Sequence, residues 1–92
     1  MLVMILEKVP ASLRGELSKW MIEPKAGIFL GRLTGRVRDR LWEKATENAR
    51  AGACLQIWST NNEQGFEIRS HGDTSRTIVD LEGLYVVSIP KK

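Results

Sequence analysis

Residues 9–33, VPASLRGELSKWMIEPKAGIFLGRL, decide the fold together with the apolar residues 2–6 that precede them. The continuous apolar segment 2–6 predicts a buried strand. We then predict an amphipathic helix that Ser12 caps and Pro24 ends. The side chains of its buried face recur at helical spacing: Leu13, Leu17, Trp20 and Met21. Residues 27–30 predict a second strand, so a strand, a helix and a strand follow one another within this stretch.

The rest of the chain predicts one more helix and three more strands. Thr34 caps a helix over residues 35–51, and Gly52 is its candidate C-cap. The further strands are predicted at 53–59, 66–70 and 84–89, with turns at 61–65, 71–75 and 80–83. The resulting order is β-α-β-α-β-β-β. Two helices on one face of an antiparallel sheet make the predicted class α+β.

Length and composition indicate one small cytoplasmic domain over residues 1–92. Such a short chain leaves much of its surface exposed, so we expect a homodimer. The balance of 14 Lys+Arg against 11 Asp+Glu permits an anionic partner without requiring one. Glu7 and Lys8 end the first apolar segment too early for a signal peptide or a membrane span. The lone Cys54 excludes an internal disulfide and predicts a buried, inert thiol.

No motif of an enzyme is present, because no nucleophile has an obvious base partner and His71 is the single histidine. Phosphate binding is the better supported chemistry. Arg14 lies near the predicted start of the first helix, and its guanidinium matches phosphate geometry. The other candidates for the same role are Lys8, Ser12, Ser75 and Arg76. Each could also be an ordinary surface residue. We expect core or dimer packing, not base stacking, of the three tryptophans, Trp20, Trp42 and Trp58.

Several segments of the sequence also resemble those of a known family. Beyond residues 9–33, the matching segments are AGIFLGRL, LWEKATENA, IWSTNNEQGFEIRSHG, RTIVDLEGL and VVSIP, in this order. They are similar to the small CRISPR-associated adaptation proteins (Cas2) of type I-E systems, which join the CRISPR integrase in acquiring spacers. The resemblance implies a ferredoxin-like sandwich, whose ideal order is β-α-β-β-α-β. We see one clear strand between the helices, so either residues 30–33 form a short extra strand or that hairpin is degenerate. The apolar C-terminal strand is expected to pair across a dimer or with a partner.

The resemblance also implies roles for individual residues. In type I-E relatives, arginines in two loops hold the phosphates of duplex DNA, and this chain keeps Arg14 and Arg76 there. Ser12 and Ser75 stand where close relatives can carry a second arginine, so we expect weaker or more partner-dependent DNA binding. By position, the residues expected to face the integrase are Arg36, Glu63 and Glu82. The alternating charges of the second helix otherwise predict a solvated face with weak ion pairs.

Three functions remain open at this point. The first is a structural adaptor of spacer acquisition, whose homodimer bridges integrase dimers and binds the phosphate backbone of double-stranded prespacer DNA. The second is a Mg²⁺-dependent endonuclease acting on RNA or DNA, in which a pair of Glu7 carboxylates in the dimer binds the metal. Many relatives have aspartate at this position, and Glu7 beside Lys8 departs from that pattern. The third is a ferredoxin-like toxin or ribonuclease unrelated to CRISPR.

Overall fold

The computed structural model describes residues 1–72 and, as backbone, residues 77–81 and 84–88. Among these, the chain forms seven strands and two helices. In order they are β1 (Leu2–Glu7), α1 (Ala11–Leu17), β2 (Ile22–Lys25), β3 (Ile28–Gly31), α2 (Gly35–Asn48), β4 (Ala53–Ser59), β5 (Phe66–His71), β6 (Thr77–Leu81) and β7 (Leu84–Ser88).

Five strands form one antiparallel sheet in the order β2-β3-β1-β4-β5. The central strand β1 pairs on both sides, with Ile5 opposite Ile28 of β3 and Leu55 of β4. Up to β4 the element order is β-α-β-β-α-β, with two strands between the helices. The predicted α+β class and ferredoxin-like arrangement are therefore confirmed, with β5 added at one edge.

The strand that sequence reasoning missed is β2, which lies before β3 and not at residues 30–33. It contains Pro24, which the sequence pattern predicts as the end of the first helix. Proline has no N–H for a sheet hydrogen bond, so it is tolerated on an edge strand. Here β2 is the edge, and its register against β3 shifts between Ile22 and Lys25.

Helix α1 is shorter than predicted and begins differently. Its N-cap is Pro10, without a side-chain hydrogen bond, so the prediction that Ser12 caps the helix is wrong. The helix ends at Leu17 after seven residues. Leu13, Leu17 and Met21 are buried as expected, whereas Trp20, beyond the helix end, is 50% exposed. The predicted burial of Trp20 is therefore wrong.

Helix α2 confirms one predicted cap and contradicts the other. The Thr34 hydroxyl accepts a hydrogen bond from the Val37 N–H at 3.3 Å. The helix ends at Asn48, and Arg50 adopts the left-handed backbone that often follows a helix (φ 53°). Gly52 is thus not the C-cap. It lies under the end of β1, where a Cβ would come within 2.5 Å of the Glu7 carbonyl oxygen.

Both helices pack on the same face of the sheet. The shared core joins alternate β1 residues to the buried stripes of the helices: Leu2, Met4, Leu6, Leu13, Leu17, Met21, Phe29, Leu41, Ala45, Ala49 and Cys54. Trp42 and Trp58 are partly buried against it. The register places another apolar set on the opposite face, here named the open face: Val3, Ile5, Ile28, Leu30, Leu55, Ile57 and Ile68.

Strands β6 and β7 form a separate antiparallel pair, from Thr77 opposite Ser88 to Leu81 opposite Leu84. Strand β6 was not predicted. It includes Asp80 and Leu81, so the turn predicted at 80–83 is wrong for these two residues. The final strand is confirmed as β7 within residues 84–88. Its expected pairing across a dimer or with a partner stays a prediction.

Candidate functional site

One end of the sheet brings together the predicted phosphate-binding residues that the structure describes. Strand β1 ends here, and the turn to α1 begins with Lys8 in the left-handed conformation (φ 55°). An open recess of about 240 Å³ beside the turn is lined by Leu6, Lys8, Val9, Arg14, Ala26 and Gly27. We name this end of the molecule the Lys8 end.

Arg14 is not a free cation in this recess. Its Nε and Nη2 atoms both donate to Glu23 Oε2, at 3.1 and 2.8 Å. The same oxygen accepts the backbone N–H of Gly27 at 2.8 Å. The Gly27 hydrogen bond, followed by that of Arg14, lowers the pKa of Glu23. Glu23 is therefore ionised at neutral pH, and it fixes one edge of a guanidinium whose side chain is 42% exposed.

Ser12 lies at the same end, exposed in the first turn of α1. It lines a shallow recess with Leu13, Glu16, Lys44 and Asn48.

The second predicted phosphate loop begins near this end. Strand β5 ends at the exposed His71, which is opposite Cys54 of β4. A Cβ on the next residue, Gly72, would come within 2.5 Å of the Gly52 carbonyl oxygen. The chain therefore leaves β5 beside the end of α2 and the start of β4. Ser75, Arg76 and Glu82, all predicted site residues, lie outside the described residues.

Glu7 is the last residue of β1 and is opposite Ala53, so it belongs to the open face. Across the described part of the chain, no group of three His, Cys, Asp or Glu side chains could hold a metal ion. One copy of these residues therefore does not provide a Mg²⁺ ligand set around Glu7. A shared site would need the carboxylate of a second copy.

Two of the predicted integrase-facing residues, Arg36 and Glu63, lie at the opposite end of the sheet, where Leu2 is opposite Gly31 and Trp58. Arg36 is exposed in the first turn of α2, and Glu63 is exposed in the turn between β4 and β5. Arg36 also borders a groove of about 430 Å³ between the helices, lined by Glu16, Trp20, Arg36, Val37, Arg40, Leu41 and Lys44.

In the described residues, one ion pair of α2 is local, between Arg38 and Asp39 at 3.1 Å, and two others join α2 to other elements. Lys44 donates to Glu16 of α1 at 3.1 Å, and Asp39 accepts from Arg69 of β5 at 2.8 Å. Hydrogen bonds from Lys44 and then Lys19 lower the pKa of Glu16. Those from Arg38 and then Arg69 lower the pKa of Asp39. The prediction of a merely solvated face thus missed the tertiary contacts of α2.

A polar cluster between α2 and the sheet was also missed. Gln56 is fully buried, donates to the Arg38 carbonyl oxygen at 3.0 Å and accepts from Arg69 Nε at 2.7 Å. The Arg38 guanidinium lies 4.4 Å from the Trp58 ring centroid, and Arg69 contacts the rings of both Trp42 and Trp58. The sequence did contain a signal, because Gln56 alternates with Cys54 and Trp58 on the core-facing side of β4. A buried amide at such a position needs partners.

Comparison with protein families decides the family. The model of the CRISPR-associated protein family Cas_Cas2CT1978 matches residues 1–86, nearly the whole chain. The chain belongs to this family. The resemblance noted in the sequence, to a Cas2-like CRISPR-associated protein, is therefore confirmed. Neither helix of the described part of this CRISPR-associated protein is long and apolar enough to cross a membrane.

Proposed function

We propose that this CRISPR-associated, Cas2-like protein is a structural adaptor of spacer acquisition. A homodimer bridges two integrase dimers and lies along the phosphates of the duplex prespacer DNA. Cleavage and strand transfer belong to the integrase. The observation that carries the proposal is that Lys8 and Arg14 line one recess at this end of the sheet, while Ser12 is exposed on the same short helix as Arg14.

The chemistry of this end favours phosphates over bases. Two cationic side chains and a hydroxyl can each donate to a phosphate oxygen. Base reading needs an element that enters a groove, whereas Lys8, Ser12 and Arg14 lie on a turn and on a helix of only seven residues. Recognition therefore rests on backbone charge, and we expect binding that weakens steeply as salt rises.

The open face supports the homodimer. It carries seven apolar side chains on four neighbouring strands, while both helices occupy the other face. Five of the seven, including Val3 and Leu30, are only partly buried. The five partly exposed side chains among them give this face an apolar area that can take part in protein association. Two such sheets pack face to face about 10 Å apart.

The two ends of the sheet support separate partners. Lys8, Ser12 and Arg14 lie at one end, and Arg36 and Glu63 lie at the other. A protein with this layout can contact DNA and the integrase at the same time. Glu63 and Arg36 would supply the charged contacts to the integrase, with Glu82 as a further candidate.

The decisive test of DNA binding compares Arg14→Ala with Arg40→Ala, which removes the same charge from an exposed position on α2. In complex with the integrase, we expect Arg14→Ala to weaken binding of a prespacer duplex by about tenfold. The slope of log K against log salt should become shallower by about 0.9 for each phosphate that the variant no longer neutralises. Fluorescence anisotropy at several salt concentrations measures both. Equal weakening in the two variants would refute a specific role for Arg14.

Reconstituted spacer integration separates the adaptor from the Mg²⁺-dependent endonuclease. We expect Glu7→Ala to integrate like the wild type and Arg14→Ala/Arg76→Ala to integrate poorly, with both variants folded by circular dichroism. Metal-dependent cleavage of RNA or DNA that disappears in Glu7→Ala, together with failed integration, would support the endonuclease instead.

A further inference from the structure

Glu23 has no role in the function proposed above, yet it makes the closest contacts of Arg14. One carboxylate oxygen, Oε2, accepts three hydrogen bonds: from Arg14 Nε at 3.1 Å, from Arg14 Nη2 at 2.8 Å and from the Gly27 N–H at 2.8 Å. Glu23 lies on β2, nine residues after Arg14, and its side chain is only 21% exposed. The contact therefore joins the helix that carries Arg14 to the β2–β3 turn.

The geometry of this pair leaves part of the guanidinium available. Arginine has five N–H donors, and its side-on edge consists of Nε and Nη2. Glu23 occupies that edge. The end-on edge, formed by Nη1 and the second hydrogen of Nη2, is the other pair of parallel donors that suits a phosphate. Because the Arg14 side chain is 42% exposed and lines the recess beside Lys8, an anion can reach it there.

We propose that Glu23 is a positioning residue for phosphate binding, which holds the side-on edge of Arg14 so that its end-on edge is preset for a DNA phosphate. This inference rests on the proposed function of Arg14. A long side chain that is already held in one rotamer loses less conformational entropy on binding. It therefore binds a phosphate more tightly than a side chain that must first be ordered. The carboxylate is itself held by the N–H of Gly27, which lies in the turn just before β3 with φ of 82°.

Glu23 could instead oppose phosphate binding. The direction in which DNA affinity changes when its charge is removed therefore distinguishes the two effects. A carboxylate beside Arg14 reduces the local positive charge and could compete with phosphate for the guanidinium. If competition dominated, removal of the Glu23 charge would tighten DNA binding. If positioning dominates, removal weakens binding although the net charge of the protein becomes more positive.

The experiment compares Glu23→Gln with Glu47→Gln in complex with the integrase, on a prespacer duplex. Both variants raise the net charge by one, and Glu47 is exposed in the last turn of α2, towards the same end of the molecule, so it is matched in charge and in end. Glutamine keeps an oxygen for the Gly27 N–H, whereas alanine would leave that N–H without a partner and could unfold the turn. Thermal unfolding confirms that both variants are folded.

We expect Glu23→Gln to bind the duplex about fivefold more weakly than Glu47→Gln, because a neutral amide holds the guanidinium less firmly than a carboxylate. In an Arg14→Ala background, the two variants should bind equally. Glu23→Gln binding as tightly as Glu47→Gln, or more tightly, would overturn the proposal.

Three further outcomes identify which part has failed. A difference that persists in the Arg14→Ala background would show that Glu23 acts through the fold, which also overturns positioning. If Arg14→Ala binds no worse than Arg40→Ala, the phosphate role of Arg14 itself is refuted and positioning falls with it. If Arg14→Ala weakens binding while Glu23→Gln tightens it, only the role of Glu23 is refuted.

Discussion

Single buried polar groups fix how α2 docks on the sheet. The Gln56 amide, fully enclosed, uses its oxygen for Arg69 and its nitrogen for the Arg38 carbonyl. Arg69 in turn reaches Asp39 and lies against two tryptophan rings. Removing Gln56 takes the donor from the Arg38 carbonyl and the acceptor from Arg69 Nε, so its effect goes beyond its own side chain.

We predict that Gln56→Leu lowers the free energy of unfolding by about 1–3 kcal/mol, although leucine is the more hydrophobic side chain. The reason is that the Arg38 carbonyl loses its donor and Arg69 Nε loses its acceptor. Urea unfolding measures the change. A double-mutant cycle with Arg69→Met should give a clear coupling energy, and simple additivity would contradict the proposed link.

The reactivity of the Cys54 thiol is determined by its burial. The thiol is fully buried and donates weakly to the Ala45 carbonyl oxygen at 3.7 Å. Burial raises its pKa to about 11. Because the thiolate is the reactive form, we predict that iodoacetamide does not label the folded protein between pH 7 and 9. Labelling in urea should be complete, and rapid labelling without denaturant would contradict the buried position.

At the scale of elements, two glycines differ sharply in their surroundings. A Cβ on Gly15 of α1 would meet nothing within 4 Å, whereas one on Gly52 would lie 2.5 and 2.6 Å from the carbonyl oxygens of Glu7 and Lys8. Backbone atoms at that distance cannot move aside cheaply. The connection between α2 and β4 therefore packs directly under the end of β1.

We predict that Gly15→Ala stabilises the protein by about 0.5–1 kcal/mol, since alanine favours the helix. Gly52→Ala should destabilise it by about 2 kcal/mol or more, because the strands must separate. Thermal and urea unfolding of both variants measure the difference. If Gly52→Ala were neutral, the close approach of β1 to Gly52 would be wrong.

The sequence predicted elements well where one pattern dominates. The α+β class, both helices, Thr34 as a cap and the core stripe of α2 all follow from apolar periodicity. Strand β2 did not, because its four residues include Pro24 and are mostly exposed, so sheet pairing alone forms it. The same limit applies to the site. Arg14 could be proposed as a site residue from its chemistry, but Glu23 becomes its partner only when β2 returns beside α1.

At the scale of the whole molecule, the two faces of the sheet differ in what covers them. One face is covered by α1 and α2, and the other presents the apolar residues of the open face. Lys8, Ser12 and Arg14 lie at one end of this sheet. Pairing of two open faces would bring two such ends into one symmetric body, which suits a duplex with two equivalent strands.

We predict that the wild type is a dimer in solution and that Leu30→Lys makes it monomeric. A lysine at this position would bury an unpaired charge between two open faces. Light scattering after size-exclusion chromatography measures the mass, and circular dichroism checks the fold. Glu43→Lys, exposed on α2, is the control and should remain dimeric. A dimer that survives Leu30→Lys would exclude the open face as the interface.

Strand β2 also affects whether strands of other chains can be added to the edge of the sheet. A free sheet edge is a template on which further chains can be added without limit, and this leads to fibres. Pro24 removes one donor from that edge, Lys25 adds charge, and the shifted register interrupts its regular spacing. The β2 edge is therefore a poor template. The proposed association through the faces gives a closed pair, while Pro24, which led the sequence pattern to end a helix here, disfavours polymerisation along β2.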